Sequence, residues 1–264
     1  MKTLPVFETR GLWKRGRVLS VEETAEPAEF IKPLHLVLAD RLGVDILSGA
    51  YSPGDILPNE IESSTSLAIS RGAYREAIRT LAAKGLVHSR TKRGTRVNDS
   101  SNWNILDADV LRWMFETEPN PDFVRDLFEL RLITEPAAAE CAAAKCTDEE
   151  IAKMQSALKV MKAETLNSAL GRAADLEFHK VLLTAARNSA LASLSNSIGA
   201  AISWSTSYKA RHNALDRDSM PDHERVFVAI AERNPAEARW AMESLIRFAQ
   251  ADLQKIAARP SLAG

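Results

Sequence analysis

The chain lacks several features that would place it in common protein classes. Of its 264 residues only two are cysteine, Cys141 and Cys146. That is too few for a disulfide scaffold, and their spacing fits no common zinc pattern. They read as reduced, half-buried fillers in an Ala-rich helix. Strand-like alternation is nearly absent outside Ser89–Val97, so the expected fold is mostly α. No apolar run approaches the ~20 residues needed to span a bilayer. The N-terminus has no hydrophobic signal core, which points to a cytoplasmic protein with no membrane partner. Neither sign of charge dominates, since the formal net charge is -1.

What the chain does have is unevenly placed charge. Between Ser64 and Asn98 stand eight basic residues: Arg71, Arg75, Arg79, Lys84, Arg90, Lys92, Arg93 and Arg96. One acid, Glu76, opposes them, so the rest of the chain is net acidic. A neutral protein with one compact basic module suggests local contact with a polyanion.

The pattern around those charges reads as helix, turn, helix, β-hairpin. Leu34, Val37, Leu38, Leu42 and Ile46 share one face of a helix over 33–49, which Gly49 ends. Asn59 and Glu62 have the spacing of a capping box for a helix reaching Ala68. Ser70 caps a helix over 71–84, stopped by Gly85. Strands over 86–90 and 95–98 flank a Thr91-Lys92-Arg93-Gly94 turn. Arg71, Arg75 and Arg79 lie four apart and share one stripe, while Ala73, Ala77, Ile78 and Leu81 face inward. A recognition helix needs this division, because bidentate donors must reach the major groove while an apolar back packs on the domain. Ser70 and Tyr74 are candidates to bind phosphate or flank the stripe. Lys92, Arg93 and Gly94 form a tip suited to the adjacent minor groove. A row of Arg alone is more often a solvated face. Its place on the second helix of a helix-turn-helix, ahead of a basic hairpin, favours double-stranded DNA.

The rest divides by composition. Residues 1–30 read as a flexible extension, basic and then acidic. Residues 31–98 form the winged helix-turn-helix and 99–120 a linker helix, with WNILDADVLRWMFE amphipathic and Pro119 and Pro121 breaking it. Residues 121–258 form an all-α bundle, with helices expected over 122–145, 148–165, 168–187, 190–210, 222–233 and 235–258. Thr147 and Glu150 make a capping box, and Asn234-Pro235 is a start signal. Asp175 and His179 are four apart and face the same way, and His223 lies near the start of a later helix. Such a set can hold a divalent ion, although an Asp-x-x-x-His pair is commonly a plain intrahelical contact. Trp204 and Tyr208, one turn apart, line either a pocket or the core.

GAYSPGDILPNE, SRGAYREAIRTLAAKGLV and KRGTRV resemble the GntR superfamily of bacterial repressors over residues 33–98. Many members carry a basic residue where this chain has Ile61, so one DNA contact is missing. ELRLITEPAAAECAA, ADLEFHKVLLTAARN and DHERVFVAIAERNPAEARWAM resemble the FCD ligand-sensing domain of the FadR-type branch. That resemblance implies a metal held by Asp175, His179 and His223, with zinc the leading ion. The usual fourth ligand falls at Leu245, which cannot coordinate, so either water or the effector fills the vacancy, or affinity is lost and the site is empty. It also implies effector contacts from Arg131 and Asn188. The residue-level alternatives are an Arg131–Glu135 intrahelical pair and a helix-capping Asn188. The linker segment resembles the sugar-acid branch of these regulators.

The resulting expectation is a homodimeric repressor, not an enzyme, released from operator DNA by a small carboxylate such as a sugar acid. The competing readings are a metal-dependent enzyme acting on a hydroxy acid, and a regulator answering a dicarboxylate or amino acid.

Overall fold

The computed structural model describes residues 32–60, 69–90, 93–116, 120–211 and 217–257. The expected N-terminal extension, the helix ending at Ala68, and Lys92 at the hairpin tip lie outside these residues.

The first helix, α1, spans Leu34–Leu47 and buries Leu38, Ala39, Leu42 and Ile46. Helix α2 spans Arg71–Ala83, with Ser70 as its cap, accepting from the Ala73 N–H. Tyr74, Ala77, Ile78 and Leu81 form its buried face. Gly85 then turns the chain in the left-handed region, at φ 76°. A Cβ there would meet the Asn102 carbonyl oxygen at 2.1 Å, so no other residue fits this turn. Strands β1 (Val87–Arg90) and β2 (Gly94–Val97) pair antiparallel with Val87 opposite Val97. One helical turn at Ser100–Asn102 leads into α3, Ala108–Glu116.

Seven further helices follow among the described residues. They are α4 (Pro121–Lys145), α5 (Asp148–Glu164), α6 (Ala169–Ala185), α7 (Ser189–Ser193), α8 (Ser195–Arg211), α9 (Met220–Ala231) and α10 (Pro235–Ala257). Pro121 stands beyond the end of α3 at Glu116, as expected. It starts α4 behind an Asn120 cap, where its missing N–H costs nothing. The expected helix over 190–210 is two helices, because Asn188 caps the short α7 and the chain turns at Leu194. The Thr147–Glu150 capping box forms in full.

The described residues form two apolar cores. Leu38, Leu42, Ile46, Leu57, Tyr74, Ile78, Leu81, Leu86 and Val97 make the first. Phe128, Met154, Met161, Phe178, Leu182, Ile198, Ile230, Met242 and Ile246 are among the residues of the second. Helix α3 enters both, giving Val110 and Trp113 to the first and Leu111 and Phe115 to the second. Trp113 is 1% exposed. Its indole N–H donates to Asp40 Oδ1 at 2.9 Å, and Arg112 binds the same oxygen at 2.6 Å. Gly43 makes room for it, since a Cβ at that position would stand 2.4 Å from the indole. Gly43→Ala is therefore expected to cost about 1–3 kcal/mol through overpacking. The check is the thermal midpoint of the variant, and an unchanged midpoint would mean that α3 does not dock on α1 as described.

Candidate functional site: a basic helix face and a buried polar cluster

The DNA-facing candidates divide by exposure. The Arg71, Arg75 and Arg79 side chains are 68%, 67% and 75% exposed. Glu60, outside the stretch that showed the charge pattern, pairs with Arg75 Nε at 2.9 Å and lies 4.0 Å from Arg71 Nε. It orients the stripe in the free protein. Arg79 pairs with Glu76 on its own helix. Arg93 and Gly94 are exposed at the hairpin, and Gly94 has φ 78°. Ser70 is exposed, but its hydroxyl caps α2. Tyr74 differs from expectation. It is 6% exposed, and its hydroxyl donates to the Pro58 carbonyl. It anchors the chain before α2 instead of facing DNA, because its position on the helix falls on the apolar side.

Within the bundle, Asp175, His179 and His223 do meet. One ligand atom from each lies within 4.8 Å of the others, and all three residues are buried. Bonds of ~2.1 Å to one ion would close that spread with small side-chain movements. Helix α6 presents Asp175 and His179 on adjacent turns, and α9 brings His223 across from its first turn. Asp175 Oδ1 is 3.0 Å from His223 Nε2 and 3.6 Å from His179 Nε2.

His223 Nδ1 lies 2.9 Å from the Ser219 carbonyl oxygen, which can only accept. Nε2 lies within hydrogen-bond distance of Asp175 Oδ1 at 3.0 Å, so both ring nitrogens face acceptors. His179 Nδ1 lies 2.6 Å from Glu135 Oε2. That contact is close but off the donor axis, and neither atom makes a hydrogen bond. The carboxylate stands against that side of the ring, and Nε2 faces inward, 3.6 Å from Asp175 Oδ1. Two imidazole nitrogens and a carboxylate oxygen converging on one point favour positive charge there. A second proton or a metal ion supplies it. Outer partners of this kind, a carboxylate and a carbonyl, are those that orient metal-binding histidines. The residues fit a divalent ion.

Glu135 escaped the sequence reading in this role. It was paired there with Arg131 alone, and that pair forms, Nε to Oε1 at 2.6 Å with both side chains buried. Burial opposes ionisation of Glu135, but Arg131 and His179 overcome it and hold the group at about 2. Burial opposes Asp175 likewise, and His223, His179 and Arg131 hold it at about 2.

The cavity beside the cluster has a volume of about 30 Å³, the room of a single water. Its walls include Arg131 and Leu245, as expected, and also Ser205, Thr206, Lys209 and Arg217. Nothing in the spacing of those last four marked them, since they lie on a helix and a segment far from the Asp–His motif. Arg217 is held by Asp222 and Asp252. Asn188 and Trp204 are absent from this wall. Asn188 is exposed and accepts from the Ala190 and Leu191 N–H groups as a helix cap. Trp204 stacks on Phe115, centroids 4.4 Å apart, and borders a separate groove of about 730 Å³.

Comparison with known proteins agrees with this architecture. Residues 34–97 match the family model for bacterial regulatory proteins of the gntR family, and residues 126–248 match that of the FCD domain. The galactonate operon transcriptional repressor of Escherichia coli is 33% identical over 219 residues, covering 81% of this chain and 94% of that protein. The Uxu operon transcriptional regulator of the same organism is 30% identical, covering 75% and 77% of the two chains. The solved structure of Lar, which controls the agr system of Listeria monocytogenes, superposes with a TM-score of 0.60 at 20% identity, over 86% of this chain and 99% of that one. That last likeness concerns the fold alone. The chain belongs to the GntR family of bacterial transcriptional regulators and carries that family's FCD domain.

Proposed function

We propose that the protein is a homodimeric repressor of a sugar-acid catabolic operon, released from its operator by a hydroxylated carboxylate. The observation that carries this reading is the pairing of two surfaces in one chain. One is an exposed arginine stripe beside a basic hairpin. The other is a buried Asp–His–His cluster with Arg131 on the same wall. In this reading residues 31–98 bind DNA, 99–120 link, and 121–258 sense the effector and dimerise. Support for the effector class comes from the galactonate operon repressor, to which four-fifths of this chain is similar.

Arg71 and Arg75 bear the base reading, with Arg79, Ser70, Arg93 and Gly94 beside them. On binding, guanine edges or phosphates compete with Glu60 for the guanidinium groups. One module makes few base contacts, so two half-sites related by a dyad are needed for specificity.

Asp175, His179 and His223 would hold a divalent ion, zinc being favoured by the nitrogen-rich donor set. When bound, it would supply a Lewis-acidic point for an effector oxygen, because Leu245 leaves the fourth position without a protein donor. Glu135 stands against the His179 ring at 2.6 Å, and Arg131 fixes Glu135. Removing Arg131 therefore strands a buried carboxylate, at a cost of about 3–5 kcal/mol, far above the roughly 0.2–0.5 kcal/mol of an exposed helix pair. The effector acts on DNA binding only through its preference for one arrangement of the dimer over another.

Two outcomes are expected. Arg71→Ala and Arg75→Ala each weaken specific operator binding by about 1–3 kcal/mol, measured by fluorescence anisotropy with operator and scrambled duplexes. Equal loss on both duplexes would show that neither residue reads bases. Glu135→Gln lowers metal affinity about 10–100-fold, and Leu245→His raises it. Metal content of purified protein and competition with a chelator measure both. Unaltered affinity in both variants would remove the ion from the scheme.

A further inference from the structure

Among the described residues lining the cavity, Lys209 is the cation without a partner. It is 6% exposed, yet no hydrogen bond or ion pair joins it to a described residue. The other two are occupied, Arg131 by Glu135, and Arg217 by Asp222 and Asp252. Most of this side chain is withdrawn from solvent with its amine left unpartnered at a cavity wall, a placement suited to holding an anionic ligand. Burial pushes the ammonium toward its neutral form, while Asp252 and Asp175 oppose that.

Lys209 also has suitable company. Ser205 and Thr206 precede it by four and three residues, so all three lie on one stripe of α8. All three line the cavity. The Ser205 hydroxyl donates to the Ile202 carbonyl at 3.0 Å, and Thr206 Oγ1 lies 3.4 Å from Asp175 Oδ2. Their protons are committed, which leaves their oxygens free to accept. An amine followed one turn away by two accepting hydroxyls complements a carboxylate that carries hydroxyl groups along its chain.

We propose that α8 reads the effector, with Lys209 binding its carboxylate and Ser205 and Thr206 accepting from its hydroxyls. This rests on the regulatory reading above and names the residues that select the effector within it. The cavity is too small for a six-carbon acid with Lys209 in its present place. Its four-carbon stem is the wall element that yields, swinging onto the carboxylate as the acid enters.

The test is calorimetry on the full-length, metal-replete protein with D-galactonate, D-gluconate and D-glucuronate, and with galactitol as uncharged counterpart. Operator release is followed in parallel. The expected result is that Lys209→Met weakens acid binding at least tenfold, with metal content unchanged. Lys209→Arg should recover part of the loss, and galactitol should bind neither protein appreciably. Because an unpartnered amine is removed, Lys209→Met should also melt no lower than the parent. Ser205→Ala should weaken galactonate but not acetate. Equal acid affinity in the parent and in Lys209→Met overturns the proposal, and operator release by the acid would then leave the regulatory reading standing. Acid binding that depends on Lys209 but leaves operator bound keeps the anchor and defeats the release scheme. Failure of all three acids to bind the parent overturns the proposal.

Discussion

Burying charge in an Ala-rich helical bundle is the constraint on which the sensing half depends. Arg131, Glu135, Asp175, His179 and His223 are each no more than 4% exposed. None is tolerable alone, because an isolated buried charge costs several kcal/mol. They are tolerable together because each is held by the next. Arg131 holds Glu135, Glu135 faces His179, and Asp175 stands between both histidines. The chain of contacts crosses three helices, α4, α6 and α9, and so fixes their relative rotation as well as the cluster itself. The apolar residues around it supply cohesion. The polar ones supply register.

Much of this was legible in the residues. Caps and glycines placed α1, α2, the hairpin and most bundle helices within a residue or two, because each boundary has a local chemical cause. The Asp175–His179 pair was legible because helical periodicity fixes which side chains share a face. Its meeting with His223 was not, since a tertiary contact between α6 and α9 has no local signature and entered through family resemblance. Tyr74 shows the opposite failure. A hydroxyl beside an arginine stripe looked like a phosphate contact, but a hydrophobic ring at an inward position goes to the core and takes its polar tip with it, to the Pro58 carbonyl. Asn188 matched a motif position, and of the two roles weighed for it the helix cap is the one it takes here.

Helix α8 joins the sensing cavity to the rest of the chain. One turn of it lines the cavity through Ser205, Thr206 and Lys209. Elsewhere it meets the segment that leads to the DNA-binding module, where Ser197 donates to the Leu106 carbonyl and Trp204 stacks on Phe115. A rigid helix touching both has a direct mechanical means of carrying a change at one end to the other.

Helix α3 sends successive side chains, Val110 and Leu111, into different cores. Such a helix belongs to neither module, and this bears on how these proteins are recombined. A chimaera that grafts the DNA-reading half onto another sensor has no neutral seam here. A junction before α3 leaves the first core without Trp113 and exposes the cleft at Gly43. A junction after it leaves the second without Phe115, and Trp204 without its stacking partner. Functional exchange of halves therefore requires transplanting α3 with matched surfaces on both sides, so the joint is inherited as a unit with the two parts it connects.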